Sequence, residues 1–70
     1  MRIGLIGTGR IGSFHADVLA RHPAVASLVV TDPDAARAAG VAARTGATAV
    51  ASAGELLGAG VDAVVIASAT

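Results

Sequence analysis

Ile3-Gly4-Leu5-Ile6-Gly7-Thr8-Gly9-Arg10-Ile11-Gly12 decides the fold: an apolar run, three glycines spaced G-x-G-x-x-G, and then a segment with helical spacing. Asp32 follows twenty residues after the last of these glycines. Glycine-rich loops are common in turns, so the glycines alone say little. Strand, loop, helix and acidic residue in this order, however, are what a dinucleotide cradle requires. In such a cradle Gly7 permits the tight turn out of the strand, Gly9 lets the main chain approach a pyrophosphate, and Gly12 lets the helix lie close on the sheet. The main-chain N–H groups of Arg10 and Ile11 then point at the phosphates from the positive end of the helix dipole. The competing reading is a glycine turn that holds no ligand.

Outward from the loop, the rhythm is strand, helix, strand, helix. Residues 2–6 read as a first strand. Ile11, His15, Val18, Leu19 and His22 fall at helical spacing on one face, with Phe14 beside it, before Pro23 ends the turn. Residues 27–31 read as a second strand, and its unbroken Leu28-Val29-Val30 fits a strand covered on both sides in a parallel sheet. Asp32 is then expected to cap a second helix, with Pro33 at its first position, running to about Arg44 and closed by Gly46 in the left-handed conformation. Residues 47–50 form a short third strand. Ser52-Ala53-Gly54-Glu55 matches a capping box and opens a brief third helix through Leu57, and residues 62–67 form a fourth strand.

Alternating elements joined by short connections give an α/β fold: a partial doubly wound parallel sheet of Rossmann type, with strand order 3-2-1-4 and flanking helices. Ligands of such sheets bind at the switch point between strands one and four, bordered here by Gly7 and by Ala67-Ser68-Ala69-Thr70. A carboxylate at Asp32 is placed to accept from the adenosine ribose hydroxyls and to repel a 2′-phosphate. The reading is therefore NAD in preference to NADP, unless Arg37 or Arg10 neutralises the added charge. Asp32 as a mere helix cap is the alternative, and the two roles are compatible. Arg10 either lies over the phosphates or adenine or extends into solvent. Ser68 and Thr70 sit near the expected nicotinamide ribose or simply start a loop. His15 reads as packed against the sheet, and His22, at a helix end, has no assigned role.

The composition excludes several classes. Seventy residues make at most one domain, and a domain this small hides only about 60% of the surface its unfolded chain exposes. There is no Cys to cross-link it, and the two His residues lie seven apart without a third metal ligand. Five basic residues balance five acidic ones without clustering, which gives no footprint for nucleic acid or an anionic membrane. No apolar run approaches the 18 or so residues of a membrane span, and the first is shorter than the core of a signal peptide. The expected location is cytoplasmic. Every basic residue is Arg, and without Lys a P-loop is excluded.

With these blocks in view, residues 2–12 followed by Phe14-His15-Ala16, then Val30-Thr31-Asp32-Pro33-Asp34, then residues 61–70 resemble the Gfo/Idh/MocA oxidoreductases, in particular inositol 2-dehydrogenase-like members. The resemblance runs from residue 2 to residue 70. It implies NAD(P) contacts at Gly7, Thr8, Gly9, Arg10, Ile11, Gly12, Asp32, Ala67, Ser68, Ala69 and Thr70. It also implies an N-terminal portion of a dehydrogenase acting on a polyol or sugar. The family's Glu-Lys-Pro segment and second α/β domain, which carry its catalytic Lys, Asp and His, have no counterpart in these 70 residues, so the isolated chain is expected to be inactive. Residues 1–70 thus read as a partial dinucleotide-binding domain. Its fourth strand is expected to present an exposed apolar edge able to self-associate.

A non-catalytic nucleotide-sensing module is the alternative from another class, using the same loop and acid. The ADP-binding part of a flavoenzyme shares the glycine logic but more often has Glu at the end of strand two. An S-adenosylmethionine methyltransferase leaves the glycine spacing and the strand-four ending unexplained.

Overall fold

A computed structural model describes residues 1–67, except for the side chains of Arg10 and Ile11. Seven elements alternate along it: β1 (Arg2–Ile6), α1 (Arg10–Arg21), β2 (Ser27–Thr31), α2 (Ala35–Thr45), β3 (Thr48–Ala49), α3 (Ala53–Leu57) and β4 (Ala63–Ile66). The four strands form one parallel sheet in the order β3-β2-β1-β4, as the alternation of elements predicts. Registers such as Leu5 opposite both Val30 and Val65 bring the carboxyl ends of β1, β2 and β4 to one edge. The glycine loop leaves the sheet at that edge.

Side-chain alternation along the strands divides the core between two faces. Ile3 and Leu5 of β1, with Leu28 and Val30 of β2, cluster with Ala16 of α1 and Val41 of α2. On the other face α3 covers Gly4, and a methyl group there would collide with the Leu56 side chain and lie 3.3 Å from Val61 Cγ1. Gly4 is therefore bare because Leu56, itself fully buried, occupies the place of its side chain. Burial of Leu28, Val29 and Val30 without a break agrees with a strand covered on both sides. In β4, by contrast, Ile66 is 71% exposed and Val64 is also exposed, so the expected apolar edge is present among the described residues.

Three expectations need correction. Among the described residues of α1 the fully buried ones are Gly12 and Ala16, whereas Val18 and Phe14 are exposed and His15 is half-buried, edge-on to the Phe14 ring. A helix that approaches a sheet this closely presents its smallest residues at the nearest point, while Leu19, on the expected face, is partly buried against the same core. Asp32 does not cap α2, and Pro33 is not its first residue. The cap is Asp34, whose carboxylate accepts from Ala36 N–H at 3.1 Å and Arg37 N–H at 3.2 Å. Asp32 Oδ1 instead accepts from Asp34 N–H at 2.8 Å, closing a local turn that holds residues 32–34 out of the helix. The third and fourth strands, residues 48–49 and 63–66, are each shorter than expected, although the N–H groups of Val50, Asp62 and Ala67 still donate to carbonyls of the neighbouring strands.

The remaining helix ends follow the sequence closely. Gly46 ends α2 with φ +77, the left-handed conformation that glycine adopts without strain. Ser52 caps α3 by accepting from Glu55 N–H at 3.2 Å, while Glu55 reaches back to Ala51 N–H at 2.7 Å. The return bond thus lands one residue earlier than in the standard capping box. Among the described residues no helix is long and apolar enough to cross a membrane. No cluster of three or more His, Asp or Glu side chains that could hold a metal ion occurs among them either.

Candidate functional site

The loop between β1 and α1 is shaped by three different demands on its glycines. Gly7 has φ +98, a conformation that L side chains rarely adopt, and its N–H donates to the Thr31 carbonyl at 2.9 Å. Gly12 packs against the Gly7 carbonyl so closely that a methyl group there would collide with the oxygen. Gly9 is different. Its backbone angles, φ −66 and ψ −163, suit any residue, and a methyl group there would meet only Arg37 Nη1, at 3.7 Å. Nothing in the protein's own packing demands glycine at position 9, and the space above it is open to the cavity.

Helix α1 starts immediately after Gly9, and no side chain caps it, whereas Asp34 and Ser52 cap α2 and α3. The first N–H groups of a helix have no partner inside it. An anion set against this end would satisfy donors and gain from the helix dipole together. Thr8 anchors the loop beneath: its N–H donates to Asp32 Oδ2 at 2.7 Å, and its carbonyl accepts from the Ser13 hydroxyl at 3.0 Å.

Asp32 stands at the end of β2 and lines a cavity of about 340 Å³ together with Ile6, Gly7, Gly9, Asp34 and Arg37. A second cavity, of about 200 Å³, shares Ile6, Asp32 and Pro33 with the first and is lined further by Thr31, Ala51, Ser52 and Ala53. The Thr8 N–H bond is the main cause that holds the Asp32 carboxyl below its ordinary pKa. Partial burial opposes that effect, and the Asp34 N–H, the nearby Thr8 hydroxyl and the Arg37 charge add to it. The contribution of the Thr8 hydroxyl is through proximity, because Thr8 Oγ1 is buried and makes no hydrogen bond of good geometry. Asp32 is therefore an anion across the neutral range, with lone pairs left over after two main-chain bonds.

Most of the residues singled out in the sequence meet here. Gly7, Thr8, Gly9, Gly12 and Asp32 surround or support one crevice, with the helix start at Arg10 and Ile11 beside it. Ala67 joins them: its N–H donates to the Ile6 carbonyl at 2.8 Å, and its own carbonyl oxygen lies 3.7 Å from where a Gly12 methyl would stand. Ser68, Ala69 and Thr70, together with the roles suggested for the Arg10 and Ile11 side chains, lie outside the described residues. The sequence does not mark Ala51, Ser52 and Ala53 as site residues: the two alanines carry no functional group, the Ser52 hydroxyl reads as a helix cap, and the β3 to α3 connection brings all three to the crevice.

Comparison with known proteins agrees with this geometry. The model of the Gfo/Idh/MocA family, described as an oxidoreductase family with an NAD-binding Rossmann fold, matches residues 1–70. Inositol 2-dehydrogenase 3 of Saccharopolyspora erythraea is 47% identical over 97% of this chain, which spans 21% of that protein. The structure of UDP-N-acetylglucosamine 3-dehydrogenase GnnA from Acidithiobacillus ferrooxidans is 46% identical, with a TM-score of 0.84 over 100% of this chain and 22% of that one. GenD2 from gentamicin A biosynthesis, solved in complex with NAD, is 32% identical with a TM-score of 0.90, covering 97% of this chain and 20% of its own. The chain thus spans about a fifth of the length of these relatives.

Proposed function

The chain belongs to the Gfo/Idh/MocA oxidoreductase family and has its NAD-binding Rossmann fold, and from that premise we propose that its crevice holds NAD in preference to NADP for a dehydrogenase of polyols or sugars. The observation that carries the reading is the pairing of Gly9, open above, with the anionic Asp32 in one cavity. Gly7, Gly9 and the start of α1 would hold the pyrophosphate. Asp32 would accept from the adenosine ribose hydroxyls, and Ala67, Ser68, Ala69 and Thr70 would border the nicotinamide half. NAD, when bound, supplies a hydride acceptor for the carbon of a CH–OH group. The proton acceptor and the substrate contacts are proposed to come from a second domain outside these 70 residues, since the sequence has no Lys and its His15 and His22 do not line the crevice.

An inositol or a nucleotide-linked amino sugar is the substrate class suggested by the names of the relatives. The proposed location is the cytoplasm, where a chain without Cys needs no oxidising compartment. Self-association through the apolar β4 edge is part of the same proposal.

Thermal denaturation at rising NAD concentration tests the central claim. A ligand that prefers the folded state adds about 2.7 kcal/mol at a hundred times its Kd, and the melting temperature should climb accordingly. NADP at equal concentration should give a smaller rise. No rise with NAD would refute the assignment. Reduction of NAD by inositol or a nucleotide sugar, followed by absorbance in the full-length enzyme, tests the substrate class.

A further inference from the structure

Resting on the reading that the crevice takes a dinucleotide, we propose that Asp32 is also a positioning residue: its carboxylate latches the phosphate loop to the approach of α2 before any nucleotide arrives. Both oxygens are engaged by main chain, Oδ2 by Thr8 N–H at 2.7 Å and Oδ1 by Asp34 N–H at 2.8 Å. A carboxylate accepts at both ends, whereas an amide presents a donor at one of them. Asn at this position would set N–H against N–H on either the loop or the turn. The chemistry at position 32 is therefore fixed by two main-chain donors, independently of any ribose.

The tie matters because of what surrounds Thr8. Thr8 is 1% exposed, and its hydroxyl has no hydrogen-bond partner, so the buried main chain carries the polar anchoring of this residue. Three bonds pin the loop: Gly7 N–H to the Thr31 carbonyl, Thr8 N–H to Asp32, and the Ser13 hydroxyl to the Thr8 carbonyl. The middle one runs through a side chain contributed by a segment 24 residues further on. Gly9 follows directly and is the residue whose open face lines the cavity. Releasing Thr8 would leave the phosphate cradle to be ordered at the expense of binding, a cost that preorganisation removes.

The latch and the ribose contact make different predictions for a nucleotide lacking the ribose hydroxyls. In nucleotide-free wild-type protein, the Thr8 amide should exchange slowly with solvent and show a trans-hydrogen-bond coupling to the Asp32 carboxyl carbon. Asp32→Asn should speed exchange at Thr8 while Val29 and Val30 amides in β2 stay protected. It should also weaken 2′,3′-dideoxyadenosine diphosphate by roughly tenfold, the loss expected of one charge-assisted hydrogen bond. Equal affinity of wild type and Asp32→Asn for the dideoxy nucleotide would overturn the proposal. So would an absent coupling or a freely exchanging Thr8 amide in the wild type, a readout that does not depend on the variant folding. Wild-type protein that binds neither NAD nor the dideoxy nucleotide yet shows the coupling would remove the dinucleotide reading and leave the latch standing.

Discussion

Gly12 sets its bare Cα against the carbonyl group of Gly7, leaving no room for a methyl group between the start of α1 and the turn out of β1. Neither side can yield easily. Gly7 is held at φ +98 and bonded to the Thr31 carbonyl, and the obstacle to a Gly12 side chain is main chain rather than a mobile side-chain tip. Gly12→Ala should therefore destabilise the fold by about 1–3 kcal/mol, the usual range for overpacking, and should also weaken NAD by displacing the loop. Urea denaturation gives the first number and calorimetric titration the second. An unchanged denaturation midpoint would show that α1 can slide away from the sheet, contrary to this packing.

Gly9, three residues earlier, should behave in the opposite way. Its backbone angles are open to any residue, and a side chain would enter the cavity with only Arg37 Nη1 close by. Gly9→Val should keep the circular dichroism spectrum and the denaturation midpoint while losing NAD binding. The pair would then separate two uses of glycine in one motif, position 12 for the fold and position 9 for the proposed ligand. Measurable NAD affinity in Gly9→Val, within threefold or so of wild type on the tenfold-per-1.4 kcal/mol scale, would mean that the phosphates lie elsewhere.

The Asp32 carboxyl is held below its ordinary pKa, first by the Thr8 N–H bond and further by the Asp34 N–H and the Arg37 charge, against the opposing effect of burial. A carboxyl whose pKa is lower in the folded state stabilises the fold above its unfolded pKa, and the contribution disappears as pH falls through the folded value. Stability should thus be insensitive to this group in the neutral range. It should begin to fall once pH drops below the ordinary carboxylate range, and the loss should be complete below the depressed folded value. Denaturation midpoints measured down this acid range should show that decline in wild type and a shallower one in Asp32→Asn, which starts from lower stability. Parallel curves for the two proteins would contradict the account.

Sequence alone carried the sheet order and most of the residues that meet at the crevice, because those features rest on local signals. Continuous apolar residues marked β2, Gly46 marked the end of α2, and glycine spacing with Asp32 at the right distance marked the crevice. The cap of α2 was misread because Asp32-Pro33-Asp34 offers two acceptors in three residues. What decides between them is the Thr8 N–H, 24 positions away, which engages the first and leaves the second to the helix. The face of α1 was misread for a related reason: apolar periodicity gives weight to Val18, but closeness to the sheet selects Gly12 and Ala16. Gly4 carried no signal at all, since its need to be bare comes from Leu56 descending on it from α3.

Arg37 is expected to set how strongly the crevice discriminates between the two nicotinamide coenzymes. It lines the larger cavity with Asp32 and Asp34, so a 2′-phosphate entering there would face two carboxylates and one guanidinium. The two carboxylates disfavour the added phosphate, and Arg37 offsets part of that repulsion. Arg37→Ala removes the offset. NADP should lose affinity by about three- to tenfold, the range of one partly screened charge contact, while NAD, which lacks the phosphate, changes less. The ratio of the two dissociation constants should therefore widen, and the widening should shrink as salt is raised, because Arg37 is exposed to solvent. Paired calorimetric titrations at low and high ionic strength read both quantities. A ratio that stays the same in the variant, or widens equally at both salt concentrations, would place Arg37 outside the discrimination.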